Sequence, residues 1–350
     1  ATLFHRTAKA SKTPRGHRVL CTPKKRRDES RRGRHECPRH ILSALICASA
    51  AFATPPQQIY SIAWRPDGAV IAVGGYKETR LINPTSQKLL ATLPGNAEAV
   101  RALAFSRDGK RLAAAGGLPA RKGEVKIWDV TAQTAVTIAG HSDCIYAVAF
   151  SPDGATLATA SYDKMIKLWD VATAKELRTL RDHIDAIYAL AFTPDGKRLV
   201  SGAADRSVKI WDVATGARLY TLSDATDGIN AIAISPDGTR VAAGGLDKTI
   251  RIWRLGEKEG AIENSLIAHE DAVLKLAWSP DGKYLASASA DRTIRLFHAA
   301  DLTEVRTLAK QGDWAFGLEF APDGKRFAAG LYNGLLEIYE VDHEKALASK

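Results

Sequence analysis

The chain is predicted to be all-β, a closed ring of seven four-stranded antiparallel units. Three observations predict this: one stretch is copied along most of the chain, the copies keep a period near 42 residues, and the first two strands of each copy are apolar on both faces. The parent stretch is residues 145–180, IYAVAFSPDGATLATASYDKMIKLWDVATAKELRTL.

Four apolar runs divide that stretch. The first, 145–150, meets a Pro152-Asp153-Gly154 turn, and the second, 156–161, reaches a turn at Tyr162-Asp163-Lys164. The third, 165–169, precedes polar 170–174, and the fourth, 175–180, ends in Arg181-Asp182-His183. Runs of five or six residues rich in Val, Ile, Thr and aromatics between Gly, Pro and Asp turns read as strands joined by tight hairpins. In the first run Ile145, Ala147 and Ala149 alternate with Tyr146, Val148 and Phe150. Neither set suits water, so the strand is expected to be covered on both faces.

The turn glycine marks the copies: Gly68, Gly109, Gly154, Gly196, Gly238, Gly282 and Gly324, spaced by 41, 45, 42, 42, 44 and 42 residues. Repeats of this period, each unable to bury its faces alone, indicate a seven-bladed β-propeller. The units are expected at 59–93, 100–138, 145–180, 187–222, 229–267, 273–308 and from 315 to the end. Residues 345–349 can supply the last strand, so the ring is expected to close without strand exchange. Unit two carries four extra residues at its second turn, 118–123, expected as a surface loop on the binding face.

The third strand ends in Trp128-Asp129, Trp169-Asp170 and Trp211-Asp212, and Gly140-His141 precedes a first strand. With these motifs the chain resembles the WD40 repeat family over about residues 56 to 350. The motif decays to Ile82-Asn83, Trp253-Arg254, Phe297-His298 and Tyr339-Glu340 in the other units.

The formal charge of +10 is confined to the N-terminus: residues 1–53 hold 13 Lys or Arg against three Asp or Glu, and the remainder has 36 of each. The repeat region therefore lacks the basic excess with which proteins bind phosphate backbones, and no nucleic acid is expected on it. Residues 1–40, with Lys24-Lys25-Arg26-Arg27 and Arg31-Arg32, are too polar to order themselves. Residues 41–53 follow as a short apolar run closed by Ala51-Phe52-Ala53. A basic region, a short apolar core and an Ala-x-Ala site form a secretory signal pattern, too short to span a bilayer. Cleavage after Ala53 is expected, leaving 54–350 as one domain in the periplasm or medium of a bacterium. The alternative is a cytoplasmic protein whose basic tail binds nucleic acid or anionic membrane. Cys21, Cys37 and Cys47 lie in the leader and Cys144 alone in the repeats, so no internal disulfide is expected.

His141, His183 and His269 precede units that also hold Asp163, Asp205 and Asp291, a combination that could serve acid–base chemistry. The resemblance implies a structural role instead: His, then Thr159, Ser201 or Ser287, then the Asp, then Trp169 or Trp211 form a hydrogen-bonded tetrad bracing the blade. Buried polar groups persist by satisfying one another. Unit six has Phe297 in place of the Trp, and unit five has Asp247 without the His or Ser, so both are expected to be looser. The Asp of each first turn, such as Asp67 and Asp108, is turn chemistry. No catalytic residue, metal or cofactor is expected.

The start of the first strand and the turn between the second and third lie at one end of a meander, which in WD40 proteins is the top, where partners generally bind. The first-strand positions are Tyr60, Arg101, Tyr146, Tyr188, Asn230, Leu274 and Phe316, and the turn positions include Tyr76, Tyr162, Leu246 and Tyr332; Trp314 enters from the same side. Six of the nine tyrosines thus fall on one rim. Tyr, Trp and Arg anchor interfaces, so a protein or peptide is expected on this face of a monomeric, non-enzymatic scaffold. The alternatives are that the aromatics plug the channel mouth, or that the mouth is an enzyme site.

Overall fold

In the computed structural model the described residues are 57–308 and 310–341, with the backbone of Ala346–Leu347. The basic leader, its apolar core and the expected cleavage site lie outside them. Every regular element among the described residues is a β-strand, and neighbouring strands pair antiparallel.

Unit three shows how the repeat folds. Ile145–Phe150, Thr156–Ser161, Met165–Asp170 and Glu176–Arg181 form a four-stranded sheet in chain order. At its first turn Ser151 Oγ donates to Asp153 Oδ1 at 2.5 Å, the Ala155 N–H donates to the same oxygen, and Gly154 takes φ +70°. Only glycine enters that left-handed region without a steric penalty, which is why the marker of the period is Gly.

The inner two strands are buried on both faces because each sheet packs against the next. One cluster joins Ala113, Val125 and Ile127 of unit two to Ile145, Leu157 and Trp169 of unit three. Similar clusters lie between the other neighbours. Each fully buried Leu or Ile contributes about 1.5–3 kcal/mol.

The last sheet takes its fourth strand from Ala346–Leu347, paired to Leu336–Glu340. It packs on unit one through Ala321, Ala328 and Ile338 against Ile59, Ile62 and Trp64, which closes the ring. The seam has a polar clasp: the Trp64 N–H donates to Glu319 Oε2 at 2.9 Å.

Two expectations are corrected. The described strands form six hydrogen-bonded sheets where seven were expected, because units one and two share one seven-stranded sheet. The connecting strand, Leu89–Phe105, stays extended for 17 residues. It pairs first with Tyr76–Ile82 and then with Arg111–Leu118. The polar link that breaks the sheet elsewhere is here held straight: Asn96 Nδ2 donates to Ala114 O, and the Ala97 N–H donates to Glu124 Oε1 at 2.6 Å. The insertion in unit two is also half strand, since Leu118 pairs with Lys122 and 119–121 remain as turn.

Candidate functional site

The inner strands carry a repeated defect. In units two to seven the ladder between first and second strands skips one residue, which is Arg101, Tyr146, Tyr188, Asn230, Leu274 or Phe316 in turn. A bulge leaves its extra residue unpaired and re-aims the side chain. In unit one Tyr60 stands just ahead of Ser61–Trp64, its N–H donating to Gly74 O.

These seven side chains converge on a cavity of about 570 Å³ at one mouth of the channel, with Leu246, Trp314, Tyr332 and Lys275. Below it a neck of about 170 Å³ is walled by the inner strands of all seven units. The rings form two groups. Tyr146 meets Tyr188 edge-on at 5.2 Å, and Phe316 meets Tyr332 at 5.7 Å and Trp314 at 6.1 Å. Between them Tyr60 lies 5.8 Å from Tyr332, and the Arg101 guanidinium bridges Tyr60 and Tyr146 at 5.9 and 4.9 Å from their ring centres. Burial pushes the Tyr60, Tyr146 and Tyr188 phenols above their usual range, so they are neutral hydrogen-bonding groups.

Two of the expected rim residues stand outside this cavity. Tyr162, 47% exposed, flanks it 6.2 Å from Tyr146 and 6.5 Å from Tyr188. Tyr76, 45% exposed, carries the Lys77 ammonium over its ring.

The His, Asp and hydroxyl residues are brought together at the sheet edges. His183 Nδ1 lies 2.7 Å from Asp205 and Nε2 2.7 Å from Ser201 Oγ, which accepts from Trp211 Nε1 at 2.9 Å. His141 repeats this with Asp163, Thr159 and Trp169. His269 meets Asp291 and Ser287, with no indole to complete the set. Each imidazole ring has both nitrogens occupied and is buried, so these groups brace the sheets and are not poised for acid–base chemistry. Burial holds His269 below its ordinary value despite the pull of Asp291.

Units five and seven use other partners. In unit five Arg251 pairs with Asp247 at 2.6 Å, and Trp253 Nε1 donates to Asp224. In unit seven Tyr339 donates to Gln311 Oε1 at 3.0 Å. Sequence reasoning missed these sets because the partners differ in type and position from the motif.

It also missed Lys275 and Glu319, although the repeat held a signal for both. Aligned on the bulge, the column of Lys275 otherwise holds Ser61, Ala102, Ala147, Ala189, Ala231 and Gly317, and that of Glu319 holds only alanines. Lys275 lines the mouth and the neck, and Glu319 lines the opposite end of the channel. Burial raises the Glu319 carboxyl to about 8 against the lowering effect of the Trp64 N–H.

Among the described residues no group of three or more His, Cys, Asp or Glu could hold a metal ion, and no helix is long and apolar enough to cross a membrane.

Residues 87–129 and 133–170 match the WD40 family model, described as WD domain, G-beta repeat. Residues 186–349 match the model described as IFT122 first beta-propeller. No curated protein matches the chain.

Proposed function

We propose that this chain is a WD40-repeat β-propeller, on the matches over residues 87–129, 133–170 and 186–349, and that it is a monomeric, non-catalytic scaffold that holds a protein or peptide segment in the aromatic mouth of its channel. On this reading the ring has seven blades, the first two fused through Leu89–Phe105. WD40 propellers are typically protein-interaction scaffolds, which supplies the general function.

The observation that carries the reading is the bulge. In six units it lifts one residue out of the ladder at the same height. A ladder without bulges would hide or scatter these side chains. Large, stiff, partly polar rings around an open mouth are what interface anchors look like. Rings packed to plug the channel would not leave a cavity of about 570 Å³ among them.

The test is a selection of peptides against the purified protein, followed by titration of the selected sequences. Tyr188→Ala is expected to weaken binding by about 2 kcal/mol, roughly 30-fold, with little change in Tm. Selected peptides that ignore both Tyr188→Ala and Phe316→Ala would place the site elsewhere.

We further propose export, on the pattern of residues 41–53. The N-terminal sequence of the protein from its own cells is expected to begin at Thr54. An uncleaved cytosolic chain would favour the reading in which the basic tail binds nucleic acid or anionic membrane, and binding by that tail would weaken steeply with salt.

A further inference from the structure

Near the channel axis the inner strands converge, and the column after the bulge is small because there is little room. A Cβ on Gly317 would stand 2.9 Å from the Ile62 side chain, and Ser61 Oγ already reaches Val100 O at 2.7 Å. Lys275 occupies this column in unit six. Burial lowers its affinity for a proton, and no neighbouring group among the described residues offsets that cost. Its ammonium has no hydrogen-bond or ion-pair partner among the described residues, and no Asp or Glu lines the mouth or the neck. Asp271 and Asp313 accept the N–H groups of Ala272 and Trp314 in the loops ahead of the strands, and Glu319 clasps Trp64 at the other end of the channel. Arg101, the other cation of the mouth, is sandwiched by Tyr60 and Tyr146.

A second open group stands beside it. Asn230 Nδ2 donates to Val273 O at 3.0 Å, two residues before Lys275, which fixes the amide orientation. Its Oδ1 has no partner among the described residues, and Asn230 also lines both mouth and neck. The neck thus offers an anion-seeking ammonium and a donor-seeking carbonyl on adjacent sheets, below a ring of aromatic anchors.

We propose that the neck receives the free C-terminal carboxylate of an extended partner chain, with Lys275 as its counter-ion and Asn230 Oδ1 accepting the amide N–H of the terminal residue. This rests on the reading of the mouth as a peptide site and specifies which part of the peptide enters. Two features favour a chain end over an acidic side chain. The neck that holds both open groups has a volume of about 170 Å³ against about 570 Å³ for the mouth, room for one small group where an internal loop would have to enter and turn back. A terminal residue also carries its carboxylate and N–H on one Cα, matching the two open groups. A buried charge is stabilised by a partner of opposite sign that also hydrogen-bonds to it. Pairing raises the lysine's proton affinity again, so binding takes up protons and weakens as pH rises through the window between the free and bound lysine.

The experiment uses the full chain against synthetic peptide arrays anchored by their N-termini. One array has free C-terminal carboxylates, a second has the same sequences amidated, and a third is amidated with Glu as the last residue. Free-acid peptides are expected to bind, to weaken roughly 30-fold on amidation, and to lose that preference in Lys275→Ala, which restores the small residue of the other units. Lys275→Met is a second variant that keeps the bulk of the stem. Equal binding of acid and amide, with both weakened by Tyr188→Ala, would overturn the carboxylate inference and leave the aromatic site standing. Binding of the Glu-terminated amides as tight as the free acids would assign the neck to acidic side chains, against the proposal. No binding to any array would count against both.

Discussion

Asp205→Ala is expected to lower the unfolding free energy by about 3 kcal/mol, the cost of breaking a buried hydrogen-bonded pair. The carboxylate accepts from His183 Nδ1 at 2.7 Å, from Ser207 Oγ at 2.6 Å, and from the Ile184 and Ser207 N–H groups. Alanine leaves the imidazole with an unmet donor where its side chain is 0% exposed. The disturbance also passes to Ser201 and Trp211, which hang on the other ring nitrogen. For a chain of this size the loss corresponds to a fall in Tm of roughly 4–5 °C. Asp67→Ala, at an exposed turn where the carboxylate meets Arg65 and the Ala69 N–H, is the control, expected to cost under about 1 kcal/mol. Calorimetry giving the two variants the same Tm would remove the tetrads from the stability of the ring.

The same contacts set the acid limit. Burial alone would raise the Asp205 carboxyl, but the hydrogen bonds from His183, Ser207 and Ile184 more than reverse this and hold it well below the ordinary carboxylate range. For Asp291 burial is likewise outweighed, chiefly by Thr293, leaving the group at about 2. A carboxyl held lower in the folded than in the unfolded chain stabilises fully above its unfolded value, and that contribution is lost as pH falls through the folded one. For Asp291 the loss runs from about pH 4 down to about pH 2.

Glu319→Gln should act in the opposite sense and show itself at the alkaline end. Burial raises the Glu319 carboxyl to about 8, so between its ordinary value and that one the folded chain binds more protons than the unfolded chain. Stability therefore declines as pH rises across this interval. Full conversion of the shift is about 5 kcal/mol, and the partial exposure of Glu319 reduces the expected loss to about 2–3 kcal/mol. Glutamine keeps an oxygen for the Trp64 N–H and cannot ionise. The variant is expected to match the wild type near pH 5 and exceed it in Tm by several degrees at pH 9. Lys275, whose proton affinity burial lowers, gives stability that rises toward high pH in both proteins, so the difference between them isolates Glu319. Parallel Tm curves across pH 5 to 9 would show that the carboxyl is solvated and the seam owes nothing to it.

Much of the architecture was legible because the repeat supplies its own control. Seven turn glycines in register, each beside an Asp, specify hairpins from local chemistry alone, and Gly154 at φ +70° is typical of them. The residues of the His–Asp sets in units three, four and six were legible for the same reason: their spacing recurs. The fusion of units one and two was not, because a strand running on through 94–99 depends on Asn96 and Glu124 reaching Ala114 and Ala97 across the sheet. Tyr162 and Tyr76 were grouped with the rim from their place in the second turn; Leu246 and Tyr332 at that position do line the mouth, whereas Tyr162 and Tyr76 stand half-exposed outside it.

Period, strand order and the chemistry of each hairpin follow from the amino-acid sequence, because they depend on residues a few positions apart. The face each inner residue presents does not. In a strand apolar on both sides the two-residue alternation carries no phase, and one bulge reverses whatever phase there is. Closure of the ring then brings together, from strands more than 200 residues apart in the chain, the seven positions that line the mouth. The same closure makes Lys275 and Glu319 channel residues: charge in a column of small side chains is visible in the repeat, but only the converging walls decide that it is half-buried and what it faces.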